Sequence, residues 1–405
     1  MCVKMNIPFS PPDISELEVQ EVAQALRSGW ITTGPRTKQL ERNIAAYVGT
    51  EQCVCLNSQT ACAEMVLRLM EIGPGDEVIL PAYTYTATAS VVQHVGATIV
   101  MVDCQKDSLE MDYDSVEKAV TSRTKAIIPV DLAGIPCDYA RLYDIVEAKR
   151  SLFHPSSKLQ AALGRIAILA DTAHSFGATL NGQPTGSLAD FSSFSFHAVK
   201  NLTTAEGGAL TWKTIPGVDD EAIYRQLQLF SLHGQSKDAL AKNQLGAWEY
   251  DVLGPWYKCN MTDVAAAIGL SQLKRYDGML ARRQEIVGRF DAALKPLGVQ
   301  VLAHYTEQHR SSAHLYMTRI PGITPQQRNE IIIRMAERGI ACNVHFKPLP
   351  MHTAYKNLGF AIEDYPHAYA HFANEITLPL HTCLTDEQVA YVIDNYTEIL
   401  KEYLQ

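Results

Sequence analysis

The chain has 405 residues, 47% of them hydrophobic and 20% charged, a composition typical of a globular protein long enough for two or three domains. The formal net charge of −9 and the lack of a concentrated run of lysine and arginine argue against a nucleic-acid-binding surface. No stretch approaches the roughly 20 apolar residues that a membrane helix requires, and the N-terminus MCVKMNIPFSPP lacks the apolar run of a signal peptide. We therefore predict a cytoplasmic protein with neither a membrane nor a nucleic-acid partner.

The nine cysteines predict neither disulfides nor a metal site. Their number is odd, and several lie in apolar segments, so we expect buried free thiols in a reducing compartment. No Cys-x-x-Cys pair occurs, and no metal is predicted. The cysteines in apolar segments are Cys53, Cys55, Cys62, Cys104 and Cys137.

From residue 50 to about residue 210, short apolar runs alternate with helical patterns. The runs CVCLN, EVILP, TIVMVD and KAIIPVD are each followed by an amphipathic segment. That order predicts crossover units and a mainly parallel sheet covered by helices. Three more strands, near 166–171, 190–196 and 208–212, bring the predicted sheet to seven. Ligands of such sheets bind at the loops that follow the carboxyl ends of strands.

The pattern changes near residue 255, where we place a domain boundary. A long helical pattern, TDVAAAIGLSQLKRYDGMLARRQEIVGRFDAAL, is followed by a strand, HLYMTRI, and by a helix, TPQQRNEIIIRMAERG, that ends at a glycine. We predict a large domain over residues 1–255 and a smaller α+β domain over 256–405. The segment 150–164 is too long for a helix-to-strand link and is interpreted as an insertion of unassigned role.

Two polar segments lie at predicted strand ends. The segment LNSQTA places hydroxyl and amide groups between a strand and a helix, where they could hold a phosphate or form a plain helix cap. Asp171 ends the hydrophobic strand ILAD and is followed by His174. A buried carboxylate is costly without a cationic or protonated partner, although a helix cap would explain Asp171 almost as well.

The third feature is SFSFHAVKNLTTAEGG, in which a half-buried strand runs into Lys200 and two glycines. A lysine beside a core is most often a surface residue, but its neighbours change that interpretation. A phosphate-binding turn, a buried acid that keeps a heterocyclic nitrogen protonated and a lysine that binds an aldehyde are what pyridoxal phosphate requires. The three features together therefore predict a pyridoxal-phosphate site.

Several segments, in order, resemble the sugar aminotransferases of the DegT/DnrJ/EryC1/StrS family. That family is a branch of the fold-type I pyridoxal-phosphate enzymes, and the similarity runs from about residue 7 to the C-terminal LPLHTCLTDEQVAYVI. The resemblance implies an α/β fold with a seven-stranded sheet and a smaller C-terminal α+β domain. The segments are SGWITTGP, LNSQTA, GPGDEVILPAYTYTATA, GATIVMVDC, TKAIIPVDLAG, DTAHSFGA, FSFHAVKNLTTAEGGAL and NMTDVAAAIGLSQL.

The resemblance also implies roles for individual residues. It makes Lys200 the lysine that links to the cofactor, Asp171 the partner of the pyridine nitrogen and His174 a neighbour of the phenolic oxygen. Tyr85 falls where family members stack an aromatic ring on the cofactor, although a tyrosine packed in the core at a strand edge is the alternative. The groups implied to bind phosphate are Ser195 and the backbone and side chains of Gln59 and Thr60.

The chain departs from the family pattern at two places. Ala170 stands where many members have a glutamate before the aspartate, a position outside the chemistry. PWYKCNM stands where many members have Gly-Tyr-Asn-Tyr-Arg-Met, and this variant is similar to the branch that makes UDP-4-amino-4-deoxy-L-arabinose. In the family this loop reaches the neighbouring subunit's site, so Lys258 and Asn260 are candidates for cross-subunit contacts, Asn260 toward the cofactor; an exposed charged loop is the alternative for both.

The resemblance implies a homodimer that moves an amino group from L-glutamate, leaving 2-oxoglutarate, to a keto carbon of a nucleotide-linked sugar. The arabinose-like loop favours UDP and C4. Trp30, His345 and Lys347 are weaker candidates for substrate contacts. One alternative is a pyridoxal-phosphate sugar dehydratase, disfavoured because those relatives have histidine at the position of Lys200. The other is a non-catalytic regulator that keeps the fold, which would not need the lysine, the aspartate and the phosphate-binding turn together.

Overall fold

The computed structural model describes residues 4–237 and 249–404, which contain thirteen strands and thirteen α-helices, numbered in chain order. The strands are β1 (Cys53–Leu56), β2 (Glu77–Pro81), β3 (Thr98–Val102), β4 (Thr124–Ile127), β5 (Ala167–Asp171), β6 (Thr179–Leu180), β7 (Gln183–Pro184), β8 (Phe191–Ser195), β9 (Gly208–Trp212), β10 (Gln300–Val301), β11 (His309–Arg310), β12 (Tyr316–Arg319) and β13 (Glu375–Leu378). The helices are α1 (Glu16–Arg27), α2 (Pro35–Val48), α3 (Gln59–Leu69), α4 (Thr86–His94), α5 (Tyr113–Ala119), α6 (Tyr139–Ala148), α7 (Lys158–Leu163), α8 (Asp220–Ser231), α9 (Asp263–Leu294), α10 (Pro325–Glu337), α11 (Thr353–Lys356), α12 (Pro366–Ala373) and α13 (Asp386–Leu400). None of these helices is both long enough and apolar enough to cross a bilayer.

Seven of the strands form one sheet in the order β1-β9-β8-β5-β4-β2-β3. Strand β2 pairs in parallel with β3 and β4, β4 with β5, and β5 with β8. Strand β9 runs antiparallel to both β8 and β1. The prediction of a mainly parallel, seven-stranded sheet is therefore confirmed.

Most strands of this sheet are buried along their length because helices cover both faces. In β2, Val78 and Leu80 join a hydrophobic cluster that contains Met65 of α3, whereas Ile79 joins a second cluster with Ile145 of α6. Successive residues of one strand thus contribute to two cores. The five cysteines predicted to be buried free thiols are buried and free.

Three chain segments with predicted chemistry meet at one edge of the sheet. Strand β1 leads into α3, β5 ends at Asp171 and β8 ends at Ser195. Asp171 pairs with Ser193 of β8, and Gly208 of β9 pairs with Leu56 at the end of β1. Because β1, β5 and β8 all point the same way, their carboxyl ends form one binding edge.

The C-terminal part combines the 32-residue helix α9 with an antiparallel sheet in the order β10-β12-β13. The helix α10 begins at the residues predicted, because Thr324 and Gln327 form a capping box before it. The start of the chain returns to this part: Ile7 pairs with Ile340 and lies in the same hydrophobic cluster. The domain boundary at residue 255 stays a prediction, and the first residues pack with the C-terminal core.

The segment 150–164 contains α7, which is attached to the end of α3. Ser157 caps α7, and its hydroxyl donates to the carbonyl of Met70 at 3.0 Å. The side chain of Gln160, fully buried, donates to the same carbonyl at 2.7 Å. The insertion therefore satisfies a carbonyl that the C-terminus of α3 would otherwise leave unpaired.

Candidate active site

A cavity of about 380 Å³ lies at the carboxyl edge of the large sheet. Its size is typical of a site for a small molecule. Residues of the C-terminal part, among them His345 and Leu378, complete its wall. Seven of the eight predicted site residues line it, namely Gln59, Thr60, Tyr85, Asp171, His174, Ser195 and Lys200.

Lys200 lies in the loop between β8 and β9. Its backbone N–H donates to the carbonyl of His197 at 2.9 Å, which closes a turn beside the end of β8. Burial lowers the pKa of the Lys200 amine to about 8, although the Asp171 carboxylate acts in the opposite direction. An appreciable fraction of the amine is therefore neutral near physiological pH, the form in which lysine attacks a carbonyl carbon.

Asp171 is buried at the end of β5, with 5% of its surface exposed. Its Oδ2 accepts the hydroxyl hydrogen of Thr88 at 2.7 Å, and its Oδ1 accepts the N–H of Ala173 at 3.2 Å. Burial raises the pKa of Asp171, whereas these hydrogen bonds and Lys200 lower it. A helix cap does not explain this residue, because the next α-helix in the described chain, α8, begins at Asp220. The carboxylate is placed to stabilise a cation in the cavity.

His174 is a neutral hydrogen-bond donor toward the cavity. Its Nδ1 accepts the backbone N–H of Ala133 at 3.2 Å, so the ring hydrogen lies on Nε2. Burial lowers the pKa of His174 well below its usual value, and the charge of Lys200 lowers it further.

The N-terminus of α3 offers free backbone amides to the cavity. Ser58 caps the helix through the N–H of Ala61 at 3.0 Å, and its carbonyl accepts the N–H of Cys62 at 3.1 Å. The two remaining amides of the first turn, those of Gln59 and Thr60, make no hydrogen bond to other described residues. Such a helix end binds anions, and phosphate in particular.

The side chain of Gln59 connects α3 to the large sheet. Its Nε2 donates to the hydroxyl of Ser193 at 3.0 Å, and that hydroxyl donates to the carbonyl of Ala170 at 3.1 Å. The side-chain nitrogen thus ties α3 to β8 and β5, and the phosphate contact of the Gln59 side chain stays a prediction.

Gly208 allows β9 to pass close to the start of α3. A Cβ atom at this position would lie 2.4 Å from the carbonyl carbon of Ser58 and 2.5 Å from the nitrogen of Gln59. Real Cβ atoms do not approach backbone atoms so closely, so this position requires glycine. Gly208 is therefore a structural part of the site, a role that its sequence alone did not reveal.

Tyr85 precedes α4 and is 60% exposed, so it is not packed in the core. Its ring centroid lies 5.9 Å from that of Phe346, which also lines the cavity. The aromatic face is therefore available to a planar ligand, as expected for a stacking residue.

The cavity also contains histidines contributed by the C-terminal part. The rings of His174 and His314 lie 4.3 Å apart between centroids, and burial lowers the pKa of His314 well below its usual value. His345 lines the cavity, whereas Trp30 and Lys347 are not among the lining residues. His314 was missed because it is distant in sequence from every other site residue and no local pattern marks it.

Asn260 lies outside this cavity. It pairs with Leu56 at the end of β1, and its side chain donates to the carbonyl of Met261 and accepts from Lys258. It borders a second cavity, of about 240 Å³, together with Thr33. Its contact with a neighbouring subunit's site stays a proposal.

An α/β protein with a lysine of lowered pKa, a buried aspartate and a helix N-terminus around one cavity fits the class of fold-type I pyridoxal-phosphate enzymes. The sequence pattern of the "DegT/DnrJ/EryC1/StrS aminotransferase family" matches residues 12–397, and the chain belongs to this family. The family depends on pyridoxal 5'-phosphate, so the predictions of the family, the fold, an aminotransferase and the cofactor are confirmed.

Two relatives cover almost the whole chain. Spr1654 from Streptococcus pneumoniae is provisionally named a sugar aminotransferase, and its structure has been solved in a PMP form. The sequence of that structure is 60% identical to this chain. The two structures superpose with a TM-score of 0.96, over 98% of this chain and 100% of the Spr1654 chain. Its PLP form is 57% identical, with a TM-score of 0.95 over 99% and 100% of the two chains. The spore coat polysaccharide biosynthesis protein SpsC of Bacillus subtilis is 37% identical over 402 residues, 98% of this chain and 97% of SpsC.

Proposed function

We propose that this protein transfers an amino group from L-glutamate to a keto carbon, C4, of a nucleotide-linked sugar. The observation that carries the proposal is that Lys200, Asp171 and the N-terminus of α3 meet in one cavity. Asp171 offers a partner for a cation, Lys200 offers an amine and the N-terminus of α3 offers an anion site, all within one cavity of a size typical for small molecules.

The residues present fit pyridoxal phosphate group by group. A buried carboxylate with two hydrogen bonds is stabilised by a protonated ring nitrogen, and a neutral histidine with its hydrogen on Nε2 donates to a phenolic oxygen. When bound, the cofactor withdraws electrons from the carbon that carries the transferred nitrogen. The proposed contacts are Lys200 for the aldehyde, Asp171 for the ring nitrogen, His174 for the phenolic oxygen, Tyr85 for the ring face, and Ser195 with the amides of Gln59 and Thr60 for the phosphate.

Lys200 also moves the proton that transamination requires. Once it is displaced by the amino donor, its amine can take a proton from one carbon and deliver it to another. A pKa of about 8 suits this task, because base and acid forms are both populated near neutrality. Asp171 maintains this balance, since its charge opposes the effect of burial on Lys200.

The sugar acceptor is supported by the relatives. Spr1654 carries the provisional name of a sugar aminotransferase, and SpsC is named for polysaccharide biosynthesis. The family resemblance supports a nucleotide-linked keto-sugar, and the loop PWYKCNM supports UDP and C4. The product would serve the biosynthesis of a cell-surface polysaccharide or another amino sugar.

A homodimer is part of the proposal. The loop 256–261 borders the second cavity through Asn260 rather than the cavity that contains Lys200. Large hydrophobic residues in and just before this loop are exposed, as expected of a surface that a partner covers. These residues are Tyr250, Val252, Leu253 and Tyr257.

The test is a half-reaction with a defined acceptor. The purified enzyme is converted to its aminated cofactor form with L-glutamate, freed of amino acid and mixed with a panel of UDP- and dTDP-linked keto-sugars. We expect a UDP-linked 4-keto-sugar to restore the absorbance of the aldehyde cofactor and to yield an amino sugar by mass spectrometry. Loss of a hydroxyl from the sugar without gain of nitrogen would identify a dehydratase instead, and no reaction with glutamate or any sugar would favour a regulator.

A further inference from the structure

Three side chains form a hydrogen-bonded chain from the cavity wall into the C-terminal core. Nδ1 of His345 lies 2.9 Å from the hydroxyl oxygen of Thr377. That oxygen lies 2.5 Å from Oε1 of Glu375, whose Oε2 accepts the backbone N–H of His345 at 2.8 Å. Thr377 is 0% exposed and Glu375 1%, so the chain leads from the cavity to a carboxyl group shielded from bulk water.

Strand pairing holds this chain in place. Glu375 and Thr377 are two residues apart on β13 and therefore lie on the same face of the strand. Thr377 and Asn343 exchange both backbone hydrogen bonds, at 2.8 and 3.1 Å, which places His345 beside that face. Nε2 of His345 makes no hydrogen bond to other described residues, and the residue lines the cavity.

A hydroxyl group has one hydrogen, so the chain has two arrangements. When Glu375 is ionised, Thr377 donates to the carboxylate, His345 donates from Nδ1, and Nε2 is a free acceptor. When Glu375 is protonated, the carboxyl group donates to Thr377, Thr377 donates to Nδ1, and Nε2 carries the hydrogen. The two arrangements differ by one proton, and His345 is neutral in both.

We propose that His345, Thr377 and Glu375 form a proton relay that takes a proton from the ammonium group of the incoming amino donor. The N–H bond of the donor breaks and an Nε2–H bond forms, while the Nδ1 proton of His345 moves to Thr377 and the hydroxyl proton of Thr377 moves to Glu375. Reversal of the same moves returns the proton to the cavity. His345 is the residue that contacts substrate, and Thr377 and Glu375 are positioning residues. This inference rests on the proposed function, since the amino donor brings the ammonium group.

The charges around the relay favour storage of the proton on Glu375. Burial, together with the charge of Lys200, lowers the pKa of His345 to about 3, so the imidazole does not hold a second proton. Burial raises the pKa of Glu375 to about 8 against the hydrogen bonds of Thr377 and His345 and the charge of Arg328. Glu375 is therefore mostly protonated below about pH 8 and mostly ionised above it. The relay can accept a proton only when Glu375 is ionised, so its capacity to accept one increases as pH rises.

The other titratable groups that face the relay belong to several elements. His174 and His314 share the cavity with His345 and Lys200, and both are neutral because burial lowers the pKa of each. The phenols and the thiol near Glu375 stay protonated, since burial raises the pKa of each. These groups are Tyr83, Tyr396 and Cys342.

Matched substitutions of Glu375 and Thr377 distinguish a role of these residues in proton transfer from a role in packing alone. In Glu375→Gln the amide oxygen can keep the bond from the His345 N–H, while the amide nitrogen donates to Thr377 and so fixes the hydrogen on Nε2. Thr377→Ser keeps the hydroxyl, and Thr377→Val keeps the shape of threonine but breaks the chain. The measurement is single-turnover conversion of the cofactor by L-glutamate, followed by absorbance from pH 6 to 10.

We expect Glu375→Gln and Thr377→Val to slow the half-reaction about a hundredfold at pH 8, the lower part of the range for a positioned base, and Thr377→Ser to stay near the wild-type rate. In the wild type, ionisation of Glu375 should increase the rate of the half-reaction near pH 8. This increase should disappear in Glu375→Gln. A wild-type rate and pH profile in Glu375→Gln would overturn the relay. If the wild-type enzyme failed to react with any amino donor, the result would contradict the proposed function instead of the relay.

A second measurement needs no substrate. Nitrogen-15 spectra of histidine-labelled holoenzyme, with His345 assigned by its loss in His345→Gln, report which ring nitrogen carries hydrogen. We expect Nε2 of the wild type to be protonated at pH 6 and unprotonated at pH 10, and Nε2 of Glu375→Gln to be protonated throughout. An Nε2 state in the wild type that does not change with pH would also overturn the relay.

Discussion

At the scale of single residues, the site consists of titratable groups that burial has moved from their usual pKa values. Lys200 is held as a partly neutral amine, His174 as a neutral donor and Asp171 as a carboxylate that lacks a full set of donors. Each of these states costs free energy in the empty protein and is offset when a complementary ligand binds. Two predictions follow from Lys200 itself.

Lys200→Ala should bind the cofactor only reversibly. Borohydride reduction of the wild-type holoenzyme fixes the cofactor on the lysine, and intact mass spectrometry detects the added mass. We expect no such mass in Lys200→Ala, together with a loss of transamination of at least about a hundredfold. Lys213→Ala is the control, because burial also lowers the pKa of Lys213 but it lies outside the cavity. An adduct of wild-type yield in Lys200→Ala would refute the assignment.

The rate at which apoprotein attaches the cofactor should rise with pH, with a midpoint near 8. The pKa of Lys200 is lowered by burial, so its amine is protonated and unreactive below that pH and neutral above it. Asp171→Asn removes the charge that raises this pKa and should shift the midpoint to lower pH, while transamination falls by orders of magnitude. The control is Glu206→Gln, which changes a carboxylate on the same cavity wall and should leave the midpoint in place. An unchanged midpoint and full activity in Asp171→Asn would rule out the proposed role.

At the scale of elements, the anion site depends on how closely β9 approaches the N-terminus of α3. The capping serine satisfies part of the first turn and leaves the amides of Gln59 and Thr60 to the cavity. Gly208 makes this approach possible, because any Cβ would contact the backbone of Ser58. The site is therefore as much a property of the strand-helix contact as of its side chains.

Gly208→Ala should weaken cofactor binding by at least about tenfold, because overpacking of this kind costs about 1–3 kcal/mol. The measurement is a titration of apoprotein with pyridoxal phosphate, and the melting temperature records the accompanying loss of stability. Gly278→Ala in α9 is the matched control, since a Cβ there meets nothing within 4 Å. Equal affinity in Gly208→Ala and the wild type would mean that α3 does not bind the phosphate.

At the scale of the whole molecule, the cavity is closed by two distant parts of the chain. The large sheet contributes the groups for the cofactor, and the C-terminal part contributes His314, His345 and the relay behind His345. The N-terminal segment links these parts, because Ile7 packs with the C-terminal core and Phe9 lines the cavity. A third contribution, from the loop that contains Asn260, is expected from a second copy of the chain.

Mixed dimers test that contribution. Lys200→Ala and an inactivating substitution of Asn260, such as Asn260→Ala, should each be inactive alone. After subunit exchange, the heterodimer contains one site with both defects and one with neither, so it should regain about half of the activity of a normal dimer. Proven exchange without recovery would place the loop outside the neighbouring site, and an active Asn260→Ala parent would remove this residue from the cofactor contacts.

The sequence by itself determined the sheet and the centre of the chemistry, because both depend on short-range patterns. EVILP is apolar on both faces after its first residue and forms β2 at the residues predicted, and the aspartate and the lysine lie at or just after the ends of strands. The family motifs also predicted the cofactor and seven of the residues that line the cavity.

Only the tertiary structure decided the rest. His314 and the relay of Glu375, Thr377 and His345 become part of the site through contacts between the C-terminal part and the large sheet, which no local period encodes. The hydrogen bond of the Gln59 side chain to Ser193 joins residues 134 apart in sequence, so no local pattern predicts it. The lowered pKa of Lys200, the neutral histidines and the raised carboxyl pKa values all result from burial, and burial is a property of the packed chain rather than of any segment.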